Sequence, residues 1–173
     1  MLDIAIKYQS QLKSKFLSIW FDDKYKFFNY DMYYRDKDLD TETWNRHQFV
    51  SFNSEGEVIG YIGYSVCRQT YNAVSLSIIN FSNNKIVFAK DLKQALTDIF
   101  EKFNFNKLNF SVVIGNPIEK SYDKICQKYG GRIVGIYKNE TKLFDNQFYD
   151  VKHYEILRED YLNSKKNLLR GVI

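Results

Sequence analysis

Proline is nearly missing from this chain of 173 residues, which carries one, Pro117. That excludes a proline-rich linker or a polyproline recognition segment, and with no internal repeat it favours one continuous fold. Cysteine and histidine are as scarce, at two each. Cys67 and Cys126 sit in apolar strand-like and helix-like patterns with no CxxC or Cys/His spacing. A structural zinc site and a disulfide framework are therefore not expected, and a reducing, cytoplasmic compartment is. No apolar run approaches the roughly 20 residues that span a bilayer. The opening MLDIAIKYQSQLK lacks the basic-then-apolar order of a signal peptide, so no membrane association is expected. Neither sign of charge dominates: 25 basic and 21 acidic residues leave a net +4, spread along the chain. This mild balance gives no nucleic-acid footprint, although the tail from Asn163 to Ile173 is basic.

Aromatic residues are abundant, 14 Tyr and 14 Phe, and many fall between Phe21 and Arg46 without a clean period. Before that region, Leu2, Ile4, Ile6 and Tyr8 alternate as in a short strand, and a helix to about Trp20 follows. Gln48–Asn53 and Val58–Arg68 read as two antiparallel strands around the turn Ser54-Glu55-Gly56-Glu57. Gly60 and Gly63 within the second strand mark a bulge or a close backbone approach.

The stretch from Asn72 to Gly131 organises the rest. Ala73–Ser82 is a β-rich run that breaks at Asn83 and Asn84. Leu92, Ala95, Leu96, Ile99, Phe100 and Phe103 then recur at helical steps along one face. Lys107–Gly115 is a second buried-looking strand, and a helix of about 15 residues between two strands is what a parallel, right-handed crossover needs. Asn116 reads as a helix N-cap, Pro117 as the first helical residue and Glu119 as the reciprocal member of a capping box. Ile118, Tyr122, Ile125, Cys126 and Tyr129 form the inner face of that helix, which Gly130 ends. Arg132–Lys138 and Gln147–Arg158 close the chain as a hairpin.

This order, together with the Asn116–Gly130 unit, the GRIVG that follows and the closing NQFYDVKHYEILRED, resembles the GNAT superfamily of acetyl-CoA-dependent N-acetyltransferases. The resemblance runs from about Gln48 to Glu159. It implies one α/β domain over 1–173, with a mixed, mostly antiparallel sheet of six or seven strands, helices on both faces and a splayed parallel pair. Residues 1–46 would form the acceptor side, 47–160 the core and 161–173 a tail. The implied reaction moves an acetyl group from acetyl-CoA to an amine of a small molecule or protein by direct attack. A second copy of the chain is a further candidate partner. The alternative is a GNAT-fold binding protein without catalysis.

The family's pyrophosphate loop carries Gln or Arg, two residues, Gly, one residue, then Gly or Ala. Here Asn84 stands at the first position, Val87 at the first glycine and Ala89 at the last, so the loop is degenerate, with Lys85 and Lys90 offering charge. The resemblance places the cofactor arm on Ile78, Ile79 and Asn80 and gives Asn116 a contact to it. The family's thiolate-protonating tyrosine, four residues before the helix-ending glycine, corresponds to Cys126, with Tyr122 one turn earlier as its substitute. Both are also ordinary core residues for an amphipathic face. No acid stands in Ala73–Ser82 to serve as a base, although Ser75, Ser77 and Asn80 could hold a water. His47 and His153 read as structural, and Glu155 is an alternative base.

Overall fold

The computed structural model describes residues 1–20, 22–28, 39–41, 44–82 and 85–169. Its elements, in chain order, are strand β1 (Leu2–Ile4), a 3-10 turn (Ala5–Tyr8), helix α1 (Gln9–Ser18), a second 3-10 turn (Asp23–Tyr25), and strands β2 (Arg46–Phe52), β3 (Val58–Cys67) and β4 (Asn72–Asn80). Helix α2 (Lys85–Thr97) runs into a π-helical turn (Asp98–Lys102), and strand β5 (Lys107–Val113), helix α3 (Glu119–Lys128), strands β6 (Arg132–Lys142) and β7 (Phe148–Leu157) and helix α4 (Arg158–Leu169) follow. The seven strands lie in the order β1-β2-β3-β4-β5-β7-β6. The β4–β5 pair is parallel, as the crossover pattern requires, while β1–β2, β2–β3, β5–β7 and β6–β7 are antiparallel.

Contacts divide the chain into two compact units, Met1–Val66 with Leu76–Thr97, and Cys67–Ser75 with Asp98–Ile173. In the first, β2 and β3 bury Val50, Phe52, Val58 and Tyr61 with Leu12, Phe16 and Ile19 from α1 and its end. A separate cluster joins Ile62 to Phe88 and Ala95 of α2, with Leu76, Ile78 and Leu92 packed against it. Phe16 sits at the aromatic centre, edge-on to Phe81 and Tyr61 and stacked on Phe28. This explains the surplus of rings before Arg46 in part, because Phe28 closes the core. The aromatics within residues 29–38 lie outside the described residues.

In the second unit, Phe110 of β5 stacks on Tyr154 of β7 at 4.9 Å between ring centres, and Tyr122 of α3 meets both edge-on. Leu108, Val112 and Ile156 complete that buried layer. The tail, for which the sequence suggests no structure, is helix α4 as far as Leu169. Tyr161 stacks on Phe100 of the π turn at 4.5 Å and donates its hydroxyl to Glu101, which also pairs with Lys165. Arg158 gives its Nε to the Phe100 carbonyl, tying the start of α4 to the same turn.

Two local expectations are adjusted. Helix α3 begins at Glu119 rather than at Pro117, because the Asn116 side chain accepts from the Ile118 N–H and closes a turn first. Glu119 reaches back to the Gly115 N–H, one residue earlier than a standard capping box. Strand β6 extends to Lys142 rather than Lys138, crossing two irregularities in its register with β7.

Candidate functional site

The β4–β5 pairing is short. It joins Asn72 to Lys107 and Ala73 to Leu108, and two residues further on Ser75 takes a φ of 57°. Left-handed backbone in a residue with a Cβ costs about 1 kcal/mol or more and inside a strand marks a bulge. Residues Leu76–Asn80 continue β4 within the first unit, beyond the strained residue. Nothing in AVSLSIINF signals this, since serine carries no preference for positive φ comparable to glycine or asparagine.

Beyond the bulge, Ile79 is buried and Asn80 folds its side chain back to accept from the N–H and hydroxyl of Ser82. The Phe81 N–H donates to the Ile59 carbonyl, and the Tyr25 hydroxyl points at the Asn80 carbonyl from 3.4 Å. Tyr25 lies in the aromatic stretch whose period is not readable in sequence, and its position at the strand end is a structural finding.

Helix α2 follows, and Gly60 seats it. A Cβ at Gly60 would lie 2.2 Å from the Phe88 ring and 2.9 Å from the Ile79 carbonyl oxygen. The glycine is thus a close approach, one of the two roles expected of it, and it brings the end of β4 against the first turns of α2. Lys85, Ile86, Ala89 and Lys90 are exposed on that end of the helix. Val87, which stands where the family pattern has its first glycine, is helical and sits in the first turn of α2 with no positive φ. Asn84 lies outside the described residues.

Asp91 is buried and turned inward, accepting from the Ser51 hydroxyl at 2.5 Å and the Met1 amine at 2.8 Å. A carboxylate so satisfied opposes an anion at the start of α2 far less than a free one. That end of the helix therefore presents two exposed lysines at the positive end of the helix dipole, a fit for a phosphate-bearing group.

In the second unit, Tyr122 and Cys126 occupy successive turns of α3, both buried. Burial alone raises the Tyr122 phenol well above its ordinary value. The Cys126 thiol is raised as well, by burial first and then by the Asp123 carboxylate. Its sulfur fits because Gly131 lacks a Cβ, which would lie 2.8 Å from Sγ. Asp123 accepts from the Tyr154 hydroxyl at 2.7 Å and pairs with Lys152, which also binds Glu119. Asn116 precedes α3 and is held by its bond to Ile118.

Of the other acid–base candidates, Glu155 and His47 have hydrogen-bond partners, whereas the buried Nε2 of His153 has none among the described residues. Glu155 is buried and receives Lys107 at 3.1 Å and the Arg132 Nε at 2.7 Å, which hold its pKa below the usual carboxylate value. A carboxylate so stabilised is a weak base. His47 Nδ1 lies 2.8 Å from the Tyr64 hydroxyl, and His153 packs against the Tyr137 ring at 4.3 Å. An open cavity of about 710 Å³ lies in the second unit, lined by Asn72, Lys107, Arg158 and Lys166 among others, and none of the expected cofactor residues borders it.

The strand order, the parallel pair with its crossover helix and the second helix after β5 define the GNAT fold, which solved N-acetyltransferases share. Spermidine N-acetyltransferase SpeG of Vibrio cholerae, as a K23–Q34 chimera with hSSAT, superposes with a TM-score of 0.61 at 22% identity, over 71% of this chain and 73% of that one. The R149–K152 chimera of the same pair gives 0.59 at 23% identity, covering 69% and 70%. Spermidine/spermine N-acetyltransferase SpeG of the same organism in complex with manganese ions gives 0.58 at 22%, covering 69% of each chain. No family sequence model matches the chain, and no curated protein matches it in sequence. Among the described residues no helix is long and apolar enough to cross a membrane.

Proposed function

We propose that this protein is an N-acetyltransferase that moves an acetyl group from acetyl-CoA to an amine of a small molecule or protein. The observation that carries the reading is β4, which leaves β5 after Ala73, kinks at Ser75 and runs on to Asn80 beside the exposed start of α2. Backbone groups of Ile78, Ile79 and Asn80 would hold the amide arm of the cofactor. The first turns of α2, with Lys85, Val87, Ala89 and Lys90, would hold its pyrophosphate, and Asn84 would complete that loop. Asn116 is a further proposed contact to the cofactor. The α2 dipole adds about 0.3–1 kcal/mol at an exposed site, and the two lysines add charge.

Acetyl-CoA, when bound, supplies an activated thioester carbonyl. The amine nitrogen attacks that carbonyl directly, the carbon–sulfur bond breaks, the amine loses a proton to water, and the thiolate gains one. Tyr122 is the proposed donor to the thiolate. Its raised pKa keeps the phenol protonated at every working pH but makes it a weaker acid, so it acts through hydrogen bonding as much as by full transfer. Cys126 shares the helix face as a spacer. The spermidine acetyltransferases with the same fold make a primary amine a reasonable first acceptor to try. Release of free thiol from acetyl-CoA in the presence of a panel of primary amines tests the reaction. Turnover with any of them supports it, and no thiol above the rate without protein, across the panel, counts against it.

A further inference from the structure

The open cavity of the second unit lies where β4 and β5 begin and where β7 passes into α4. Its rim is fixed by main chain: the Asn106 N–H donates to the Tyr71 carbonyl at 2.8 Å, and the Arg158 N–H to the Asn106 carbonyl at 2.9 Å. The Tyr71 hydroxyl donates to the Phe103 carbonyl at 3.0 Å and holds the turn before β4 against the one before β5. A space of about 710 Å³ falls within the range of small-molecule sites. Arg158, Leu162 and Lys166, at four-residue steps, line it as one stripe of α4.

Three cations line the cavity, Lys107, Arg158 and Lys166, against one carboxylate, Glu159. Arg158 is oriented by two neutral acceptors, the Phe100 carbonyl and the Asn104 side chain, so neither bond cancels its charge. Glu101, the acid within electrostatic reach of Arg158, is paired with Lys165. Lys107 pairs with Glu155, but that one carboxylate also serves Arg132, and an excess positive charge remains. Lys166 has no ion pair or hydrogen bond among the described residues, and the carboxamides of Asn72, Asn106 and Asn163 on the same walls make no side-chain hydrogen bond there.

We propose that this cavity binds a small organic phosphate monoester, with the phosphate on Lys107, Arg158 and Lys166 and the organic part against the three carboxamides and Leu157 and Leu162. Three cations approach from a strand and from two separate turns of a helix, and Lys166 reaches back because helical side chains lean toward the N-terminus. A tetrahedral dianion can accept from all three, whereas a planar carboxylate presents two oxygens in one plane. Glu159 in the same wall opposes a longer polyanion such as a nucleic-acid backbone. The site shares no residue with the start of α2, so it is additional to the proposed cofactor site.

Isothermal titration of the full chain with AMP, glucose 6-phosphate and phosphoserine, each up to about 10 mM, tests the proposal, with inorganic phosphate and succinate as comparisons. The expected result is saturable binding of at least one monoester with Kd below about 1 mM, weaker at high salt and at least about threefold tighter than either comparison. Lys166→Glu should weaken it by about tenfold with an unchanged circular dichroism spectrum, since that side chain is exposed, and Asn163→Ala by about threefold. Lys85→Glu with Lys90→Glu should leave it within about twofold. Absence of binding by every monoester overturns the proposal, as does binding that survives Lys166→Glu or is lost with the α2 lysines instead. Succinate binding as tightly as the monoesters overturns the phosphate assignment, and inorganic phosphate doing so overturns the role of the organic part.

Discussion

Replacing Gly60 with alanine tests how the start of α2 is held. The new Cβ would lie 2.2 and 2.5 Å from two atoms of the Phe88 ring and 2.9 Å from the Ile79 carbonyl oxygen. Ordinary contacts of this kind are about 3.5–4 Å, so the overlap with the ring exceeds 1 Å and cannot be absorbed by small shifts. Phe88 is 7% exposed and packs against Ile62 and Ala95, so its ring has no free rotamer to enter and the first turns of α2 must move with it. Overpacking of this size costs about 1–3 kcal/mol. For a chain of this length, that corresponds to a fall of roughly 4–8 °C in Tm at the middle of the range. Because Lys85 and Lys90 ride on the displaced turns, acetyl-CoA affinity should fall by about tenfold, or 1.4 kcal/mol. Differential scanning calorimetry gives the first quantity and isothermal titration the second. Phe88→Leu in the Gly60→Ala background should recover at least about 1 kcal/mol relative to the sum of the single changes. An unchanged Tm for Gly60→Ala, or strict additivity in the double variant, would refute the seating argument.

Tyr122→Phe should lower kcat by about 10- to 100-fold with little change in acetyl-CoA affinity, the loss expected of a single proton donor. Equal turnover in steady-state assays would return Tyr122 to a packing role alone. Cys126→Ala should leave turnover within about threefold, because a buried thiol with a raised pKa is inert. Lys85→Glu with Lys90→Glu should weaken acetyl-CoA binding by about tenfold, more at low salt than at high, while surface exposure keeps the stability change within about 0.5 kcal/mol. Glu155→Gln removes the carboxylate shared by Lys107 and Arg132. Both cations keep access to water, Arg132 at 75% exposure, so the cost should be about 1–2 kcal/mol rather than the larger penalty of a fully buried pair. Since the folded-state pKa of Glu155 is depressed, that stabilisation is present above its usual 4.5 and disappears as pH falls through the lower folded value. Urea titrations should therefore show the gap between variant and wild type narrowing as pH falls below 4.5, and a gap independent of pH would exclude the charge as its source.

The strands were readable because Val58–Cys67 is a nearly continuous apolar run buried on both faces and Lys107–Val113 alternates, and the α2 face because Leu92, Ala95, Leu96 and Ile99 keep the helical step. What escaped is set by tertiary contact. Helix α4 has a weak apolar pattern, and Tyr161 holds it through the ring of Phe100, far away in sequence. The π turn that presents Phe100 and Glu101 has no signature in DIFEK. Ser75 is left-handed in the middle of β4, which local preference does not encode. Nothing in the sequence around Asp91 shows that Ser51 and the Met1 amine hold it inward, which changes the electrostatics of the helix start. At the site, the residue types expected for the cofactor lie on β4 and the first turns of α2, whereas Tyr25 beside Asn80 could not be picked out from the aromatics around it.

Titration of acetyl-CoA into the protein by isothermal calorimetry tests the central claim most directly. The reading of β4 and the α2 start predicts one saturable site per chain with Kd below about 1 mM, a binding free energy stronger than roughly −4 kcal/mol, weakened by Lys85→Glu with Lys90→Glu and absent for a thioester that lacks the nucleotide. No heat of binding at millimolar acetyl-CoA, with the protein shown to be folded, would contradict it.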